Sequence, residues 1–302
     1  MITVEYDIFS GRENPTWTLS ESEASELVEI LISDLSVVRP MLSIPMTFGP
    51  RGYIITLAGS NETLLGKLGV PSSFRITTLP VDDNFLTADL SHGAVGDFEK
   101  VEHAAGREEV ASSVTSGQEN AVAAAAAAAC TLAYTSWNDF SFWNGSRQPN
   151  NNCYCFAANY ASNVRYSRPG RQGGNPLPGG PTYADRPSPA QFRASMRADG
   201  WTTGCYGSSL RVVGLLGKLS DDLGNNTWDY HFYRKSLNGA GDSRWGHKSG
   251  AGAATNRDYS GNYITTVPSA DRSRTVGGIT YNYGEIIDTS FSPAGQRSVV
   301  VR

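Results

Sequence analysis

Residues 228–248 read WDYHFYRKSLNGAGDSRWGHK, and this stretch predicts two successive strands. Two runs of alternating side chains flank a segment rich in Gly and Asn, which is the pattern of an antiparallel β-hairpin. If Lys235 lies opposite Ser243, the same register places His231 opposite His247. The side chains that share this predicted face are His231, Tyr233, Trp245 and His247. Those predicted to point the other way are Tyr230, Phe232 and Arg234.

Upstream, residues 151–159 read NNCYCFAAN and predict a helix that begins near Cys153. Asn152 is a good helix cap, and the free N–H groups of a helix N-terminus favour a thiolate. Cys155 would lie roughly 200° further around the helix, so the two thiols cannot face one site. We therefore choose Cys153 as the nucleophile, although a lone buried cysteine is commonly an inert core residue.

A histidine base needs a neighbouring group to fix its tautomer, and a residue on the next strand can supply one. The hairpin register gives His231 the role of base and His247 the role of orienting residue. Two alternatives stay open, a packed cluster of rings on a sheet surface and a zinc site. The sequence has no short-spaced ligand pair of the C-x-x-C or H-x-x-x-H kind, so we expect no metal and no cofactor.

The strings NNCYCFAAN, YHFYR and WGHK together resemble the papain-like cysteine peptidases and amidases of the NlpC type. The resemblance covers residues 145–270 and is shared with bacterial and phage-associated proteins of unassigned function. It implies a nucleophile helix packed on an antiparallel sheet, with Cys153 as nucleophile, His231 as base and His247 as orienting residue. The chain departs from the family in its Gly- and Pro-rich segment 166–190, which is either a lid or an insertion.

The remaining site predictions concern the oxyanion and the substrate. The Cys153 backbone N–H and the side chains of Gln148 and Asn152 are the predicted oxyanion donors. The predicted substrate-binding residues are Tyr233, Trp245 and Trp201. The expected substrate is a peptide or another amide-bearing molecule, cleaved by acyl transfer through the thiolate. If the helix begins later, Cys155 is the alternative attacker.

The chain as a whole predicts an α+β fold in two domains. Residues 1–105 are predicted to form a small α/β domain, with strands near 3–9, 53–57 and 74–77 and a helix capped by Ser20. Residues 106–302 would be the papain-like domain. It includes an alanine-rich helix at 118–134, and residues 92–120 form a linker that precedes and overlaps it.

Bulk properties exclude several classes of protein. A net charge of -4 with scattered basic residues argues against a nucleic-acid partner. The most apolar stretch, 121–133, is shorter than the roughly 20 residues of a membrane span, and the N-terminus carries no signal-peptide pattern. We expect free thiols at the four cysteines, Cys130, Cys153, Cys155 and Cys205. The oligomeric state stays open.

The rival to an enzyme is a non-enzymatic binding or toxin-like module on the same fold, with aromatic and Gly-rich loops that contact a glycan or a protein. A self-processing or crosslinking enzyme is a further alternative. The relative placement of the Cys153 sulfur and the His231 imidazole discriminates between catalysis and binding.

Overall fold

The computed structural model describes residues 1–7, 9–14, 16–41, 52–76, 140–180, 182–203, 211–221, 224–237, 243–276 and 279–293. Within these ranges the chain is α+β, with short helices and two antiparallel sheets, as the sequence predicts. The alanine-rich helix at 118–134, the linker and the predicted domain boundary at 105 lie outside the described residues, as do Cys130 and Cys205.

The N-terminal sheet has four strands in the order β2-β1-β3-β4. The strands are β1 (Ile2–Tyr6), β2 (Thr16–Thr18), β3 (Tyr53–Leu57) and β4 (Ser73–Ile76). The associated helices are α1 (Glu21–Ser33) and α2 (Ser60–Gly66). The Ser20 and Glu23 side chains form the predicted capping box at the start of α1, which satisfies two backbone donors at once. The predicted helix and strands of this region are confirmed.

The second sheet has seven strands, with the path β10-β11-β6-β7-β8-β9 and β5 paired to β11. Its strands are β5 (Trp201–Thr203), β6 (Arg211–Asp221), β7 (Asn226–Leu237), β8 (Ser243–Lys248), β9 (Ala254–Thr255), β10 (Ser273–Val276) and β11 (Ile279–Pro293). The helices of this region are α3 (Phe140–Asn144), α4 (Cys153–Ala158) and α5 (Pro189–Ala198). The predicted hairpin of β7 and β8 is confirmed.

The register of that hairpin differs from the prediction by two residues. His247 pairs with Tyr233, not with His231, and Lys235 pairs with Trp245, not with Ser243. The reason is that β7 continues to Leu237, which shortens the connection to the five residues between the strands. Because the shift is an even number, every side chain stays on its predicted face.

The two faces of the second sheet pack into two different hydrophobic cores. The core on one face, which we call the histidine face, contains Val213, Leu215, Tyr233 and Trp245 together with residues of the N-terminal sheet such as Ile2 and Phe74. The core on the other, which we call the helix face, contains Val212, Leu216, Tyr230 and Phe232 together with α4 and α5. One core therefore joins residues from both sides of the predicted boundary.

The Gly- and Pro-rich segment after α4 is fastened to the helix-face side. The Asp199 carboxylate accepts hydrogen bonds from the backbone N–H groups of Gly170 (2.7 Å) and Gly173 (2.8 Å). Apart from a 3-10 turn at Tyr183–Asp185, the described part of 166–188 has neither helix nor strand, as its composition predicts. Asp199 thus holds the start of this loop in one conformation.

Among the described residues, we find no helix that combines the length and the apolar character needed to cross a bilayer.

Candidate functional site

The N-terminus of α4 is built by Asn152, as the sequence predicts. Its side-chain oxygen accepts hydrogen bonds from the N–H groups of Tyr154 (3.1 Å) and Cys155 (3.2 Å). Its side-chain nitrogen donates to the carbonyl oxygens of Gly11 (3.2 Å) and Ser167 (2.7 Å). Both donors of the amide group are therefore engaged, so the side chain is a structural clamp in this conformation rather than an oxyanion donor.

The thiol of Cys153 is sealed inside the helix-face core. Cys153 is 0% exposed, and its Sγ lies 3.8 Å from the carbonyl oxygen of Tyr230, to which it donates. Burial raises the pKa of this thiol well above its usual range, and the nearby Asp229 carboxylate adds to the effect. Reactive cysteines have the opposite setting, which is electropositive and partly exposed. The structure therefore holds Cys153 as a neutral thiol.

Cys155 is a second buried free thiol. Its sulfur lies 3.1 Å from Ser167 Oγ and 3.3 Å from Ser162 Oγ, in a small polar cluster after the helix. The two described cysteines therefore have different partners, in agreement with the prediction that they cannot serve one site.

The two histidines form a directly bonded pair on the histidine face. His231 Nε2 and His247 Nδ1 are 3.0 Å apart, and His247 Nε2 lies 2.8 Å from the carbonyl oxygen of Arg257. Because a carbonyl can only accept, His247 carries its proton on Nε2, and its Nδ1 accepts from His231 Nε2. Burial lowers the pKa of His247 to about 4, against smaller opposing effects of the Arg257 carbonyl and Asp258. His247 is therefore neutral at pH 7.

The structure brings the two imidazoles together but assigns the thiol to the other core. Side chains alternate along β7, so His231 projects from the face opposite to Tyr230 and Phe232. The helix that carries Cys153 packs on Tyr230 and Phe232, and the His231 ring lies among Tyr233, His247 and Tyr283. The backbone of β7 thus runs between the predicted nucleophile and the predicted base.

Three of the other predicted site residues are core residues. Trp201 is 2% exposed, and its indole N–H donates to the hydroxyl of Tyr154 at 3.0 Å. Tyr233 is 1% exposed and stacks on the His247 ring with 4.7 Å between centroids. Gln148 is also buried, and its backbone carbonyl oxygen accepts from Lys248 Nζ at 2.8 Å. As the structure stands, neither Trp201 nor Tyr233 offers a surface to a substrate.

The buried carboxylate of Asp229 was not predicted from the sequence. It accepts hydrogen bonds from the N–H groups of Ser10 (2.7 Å), Gly11 (3.2 Å) and Arg12 (3.2 Å) and from the Tyr283 hydroxyl (2.7 Å). The signal was present, since an acidic residue in an apolar strand needs buried donors. Asp229 therefore ties the turn after β1 to β7.

Trp245, the remaining predicted substrate-binding residue, lines a cavity on the histidine face. The cavity has a volume of about 280 Å³, and its lining residues are Arg211, Val213, Lys235, Trp245, Thr265, Thr266, Val267 and Pro268. Arg211 pairs with Lys235 across β6 and β7, and Lys235 pairs with Trp245 across β7 and β8. One row of the sheet therefore presents two cations and an indole to the cavity. No group of metal-ligating side chains occurs in the described part of the chain.

Comparison with known proteins adds one relative. No family model matches the chain, and no solved structure matches it. The chain is 33% identical over 134 residues to insoluble matrix shell protein 1 from Ruditapes philippinarum. The matched region covers 41% of this chain and 73% of the relative. This chain belongs to the family of that shell protein.

For this member of the insoluble matrix shell protein 1 family, the described geometry separates two regions with different chemistry. The Cys153 thiol is enclosed and neutral, and the imidazole pair is occupied by its own hydrogen bonds and by stacked rings. The cavity beside Trp245 is concave, and it is lined by the two cations Arg211 and Lys235. The thiol and the imidazole pair are suited to a structural role, and the cavity is suited to binding a ligand.

Proposed function

We propose that this chain is a non-enzymatic binding module that recognises a glycan. The observation that carries the proposal is the complete enclosure of the Cys153 thiol in the helix-face core. A nucleophilic thiol must reach a substrate carbonyl and ionise near neutral pH, and burial opposes both requirements. The relative is named as a matrix shell protein, a name that fits association with a polymer better than amide hydrolysis.

The cavity supports the binding side of the proposal. Ligand sites commonly pair an aromatic surface with a few polar groups, and a lining that holds Trp245, Arg211 and Lys235 has this composition. In this proposal, the histidines and the tyrosines around them serve as the packed support of the sheet that carries the cavity.

The second candidate is the cysteine hydrolase of the NlpC type, and two observations favour it. The bond from His231 Nε2 to His247 Nδ1 is the bond that a base and its orienting residue would make. Cys153 also begins a helix and touches the carbonyl of Tyr230, the residue before His231. Catalysis would require a movement that exposes the thiol and brings it to the imidazole.

The test compares polysaccharide binding with amide hydrolysis in the same preparations. The wild-type protein, Cys153→Ser and the matched buried-thiol control Cys155→Ser are sedimented with insoluble cellulose, chitin and cross-linked polygalacturonate. Each is also assayed for release of amine from a peptide and peptidoglycan-fragment library. We expect sedimentation with at least one polysaccharide that both variants retain, and no amide turnover. Turnover that Cys153→Ser abolishes and Cys155→Ser retains would overturn the proposal, and so would no sedimentation at all.

A further inference from the structure

We propose that the cavity beside Trp245 binds an anionic saccharide, whose carboxylate or sulfate lies between Arg211 and Lys235 while its ring lies against the indole. This inference rests on the proposed glycan-binding function and adds the site and the chemical class of the ligand. Its support is the row of three residues that crosses β6, β7 and β8.

Two cations are paired on neighbouring strands of the sheet. Arg211 and Lys235 are direct partners across β6 and β7, and like charges in this position destabilise a sheet. In the part of the chain that the structure describes, neither Arg211 nor Lys235 forms an ion pair with a carboxylate. Arg186 and Arg193 do form such pairs. An anionic ligand between the two side chains would supply a counter-charge to both.

Arg211, which lines the cavity, also carries a buried donor. Arg211 Nε is buried and has no hydrogen-bond partner among the described residues. A buried donor without a partner is costly, so such groups commonly mark a place where a ligand or an ion completes the bonding. The planar guanidinium is also the side chain best suited to hold a carboxylate or a sulfate.

The electrostatics of the pair agree with this geometry. Burial lowers the pKa of Lys235, and the charge of Arg211 lowers it further. Burial also lowers the pKa of Arg211. Each cation is therefore held where its charge is disfavoured, and an anion placed between them would stabilise both charged forms.

The rest of the lining favours a saccharide over a bare ion. Lys235 Nζ lies 5.9 Å from the centre of the Trp245 ring, so the charge and the aromatic surface adjoin. The other lining residues, Thr265, Thr266, Val267 and Pro268, complete a wall that is mostly apolar. At about 280 Å³ the cavity is at the small end of ligand sites, which suits a single charged sugar residue of a chain.

The experiment is a calorimetric titration of the full chain with four soluble probes at low salt. The probes are an oligogalacturonate, a chondroitin sulfate oligosaccharide, a neutral galacto-oligosaccharide of equal length and sodium sulfate. The variants are Arg211→Gln, Lys235→Gln and the control Lys218→Gln, which removes an exposed charge from the same strand as Arg211. Circular dichroism spectra and melting temperatures establish that each variant is folded.

We expect at least one anionic oligosaccharide to bind, and Arg211→Gln and Lys235→Gln each to weaken it at least about tenfold. Lys218→Gln should bind like the wild type, and the neutral oligosaccharide should not compete. The two anionic probes distinguish a carboxylated from a sulfated ligand. Equal binding of the neutral oligosaccharide, or of sodium sulfate alone, would overturn the inference.

The failure of this inference is distinguishable from failure of the proposed function. If a polysaccharide binds but both cavity variants bind like the wild type, the site is wrong and the binding module stands. If no probe binds and the amide assay shows Cys153-dependent turnover, the proposed function itself is overturned. If no probe binds and no turnover occurs, the assignment of the cavity to an anionic sugar is overturned.

Discussion

The sulfur of Cys153 donates a hydrogen bond to the carbonyl oxygen of Tyr230, 3.8 Å away, inside a core that excludes solvent. This contact joins α4 to β7 on the helix face, while the next residue of the strand, His231, projects to the histidine face. The thiol and the imidazole that resemble a catalytic dyad thus lie on opposite sides of one strand. The thiol and the imidazole each have a structural role that does not require the other group.

The first prediction concerns the carboxylate of Asp229. Asp229→Asn replaces an acceptor oxygen by a donor amide, so at least one of the buried donors from Ser10, Gly11 or Tyr283 loses its partner. We expect the free energy of unfolding to fall by about 2–3 kcal/mol. Urea denaturation followed by tryptophan fluorescence measures it. The control is Glu26→Gln, on the exposed side of α1, and an equal effect of both variants would contradict the role of Asp229.

The second prediction tests whether the loop after α4 is fixed. Gly170 has φ +79°, and a Cβ there would lie 1.8 Å from the Asn175 carbonyl oxygen. Gly174 has a similar φ of +77°, but nothing lies within 4 Å of its Cβ position. Gly174→Ala should therefore cost about 1 kcal/mol from the backbone conformation, and Gly170→Ala at least about 2 kcal/mol more from the collision.

Gly174→Ala is the control for Gly170→Ala, because both variants replace a left-handed glycine of the same loop. Thermal unfolding measures the difference in stability. A loop that moves as a lid would relax around either methyl group. Equal stabilities of Gly170→Ala and Gly174→Ala would therefore contradict the fixed loop.

The third prediction follows from the neutral state of His247. Its pKa falls from 6.5 to about 4 in the folded protein, so the unfolded chain binds more protons between these values. The stability contribution is fully present above pH 6.5 and is lost as the pH falls through this range. The shift corresponds to about 3 kcal/mol between pH 7 and pH 4.

The variant His247→Asn isolates that contribution. An Asn side chain can still accept from His231 but does not titrate in this range. Urea denaturation of both proteins at several pH values between 7 and 4 gives the difference in unfolding free energy as a function of pH. We expect the wild type to lose more stability on acidification than the variant. Parallel curves would show that His247 is not held neutral by burial.

Local patterns predicted the elements of this protein well. The capping box at Ser20 and Glu23, the Asn152 cap of α4 and the strands around His231 and His247 all follow from residue types within a few positions. These features depend on local backbone bonding and on side-chain alternation, which the sequence carries directly. The faces of the hairpin were predicted for the same reason.

Long-range relationships were not predictable from those patterns. The hairpin register shifted by two residues because the connecting loop is shorter than its composition suggests. The placement of α4 on the face opposite to His231 depends on tertiary packing of Tyr154 against Phe232, which no local pattern encodes. The cavity was missed because Arg211, Lys235 and Trp245 meet only through pairing of three strands.

Alkylation of Cys153 in the native protein measures directly whether its thiol is enclosed. The folded chain is treated with iodoacetamide at pH 7.5 and pH 9, digested, and the modification of each cysteine is quantified by mass spectrometry. A parallel sample in urea gives the rate of the exposed thiol. We predict that Cys153 in the native protein is modified at least about a hundredfold more slowly than in urea at both pH values. Rapid modification of native Cys153, at a rate equal to or above that in urea, would contradict a sealed, neutral thiol and restore the cysteine hydrolase.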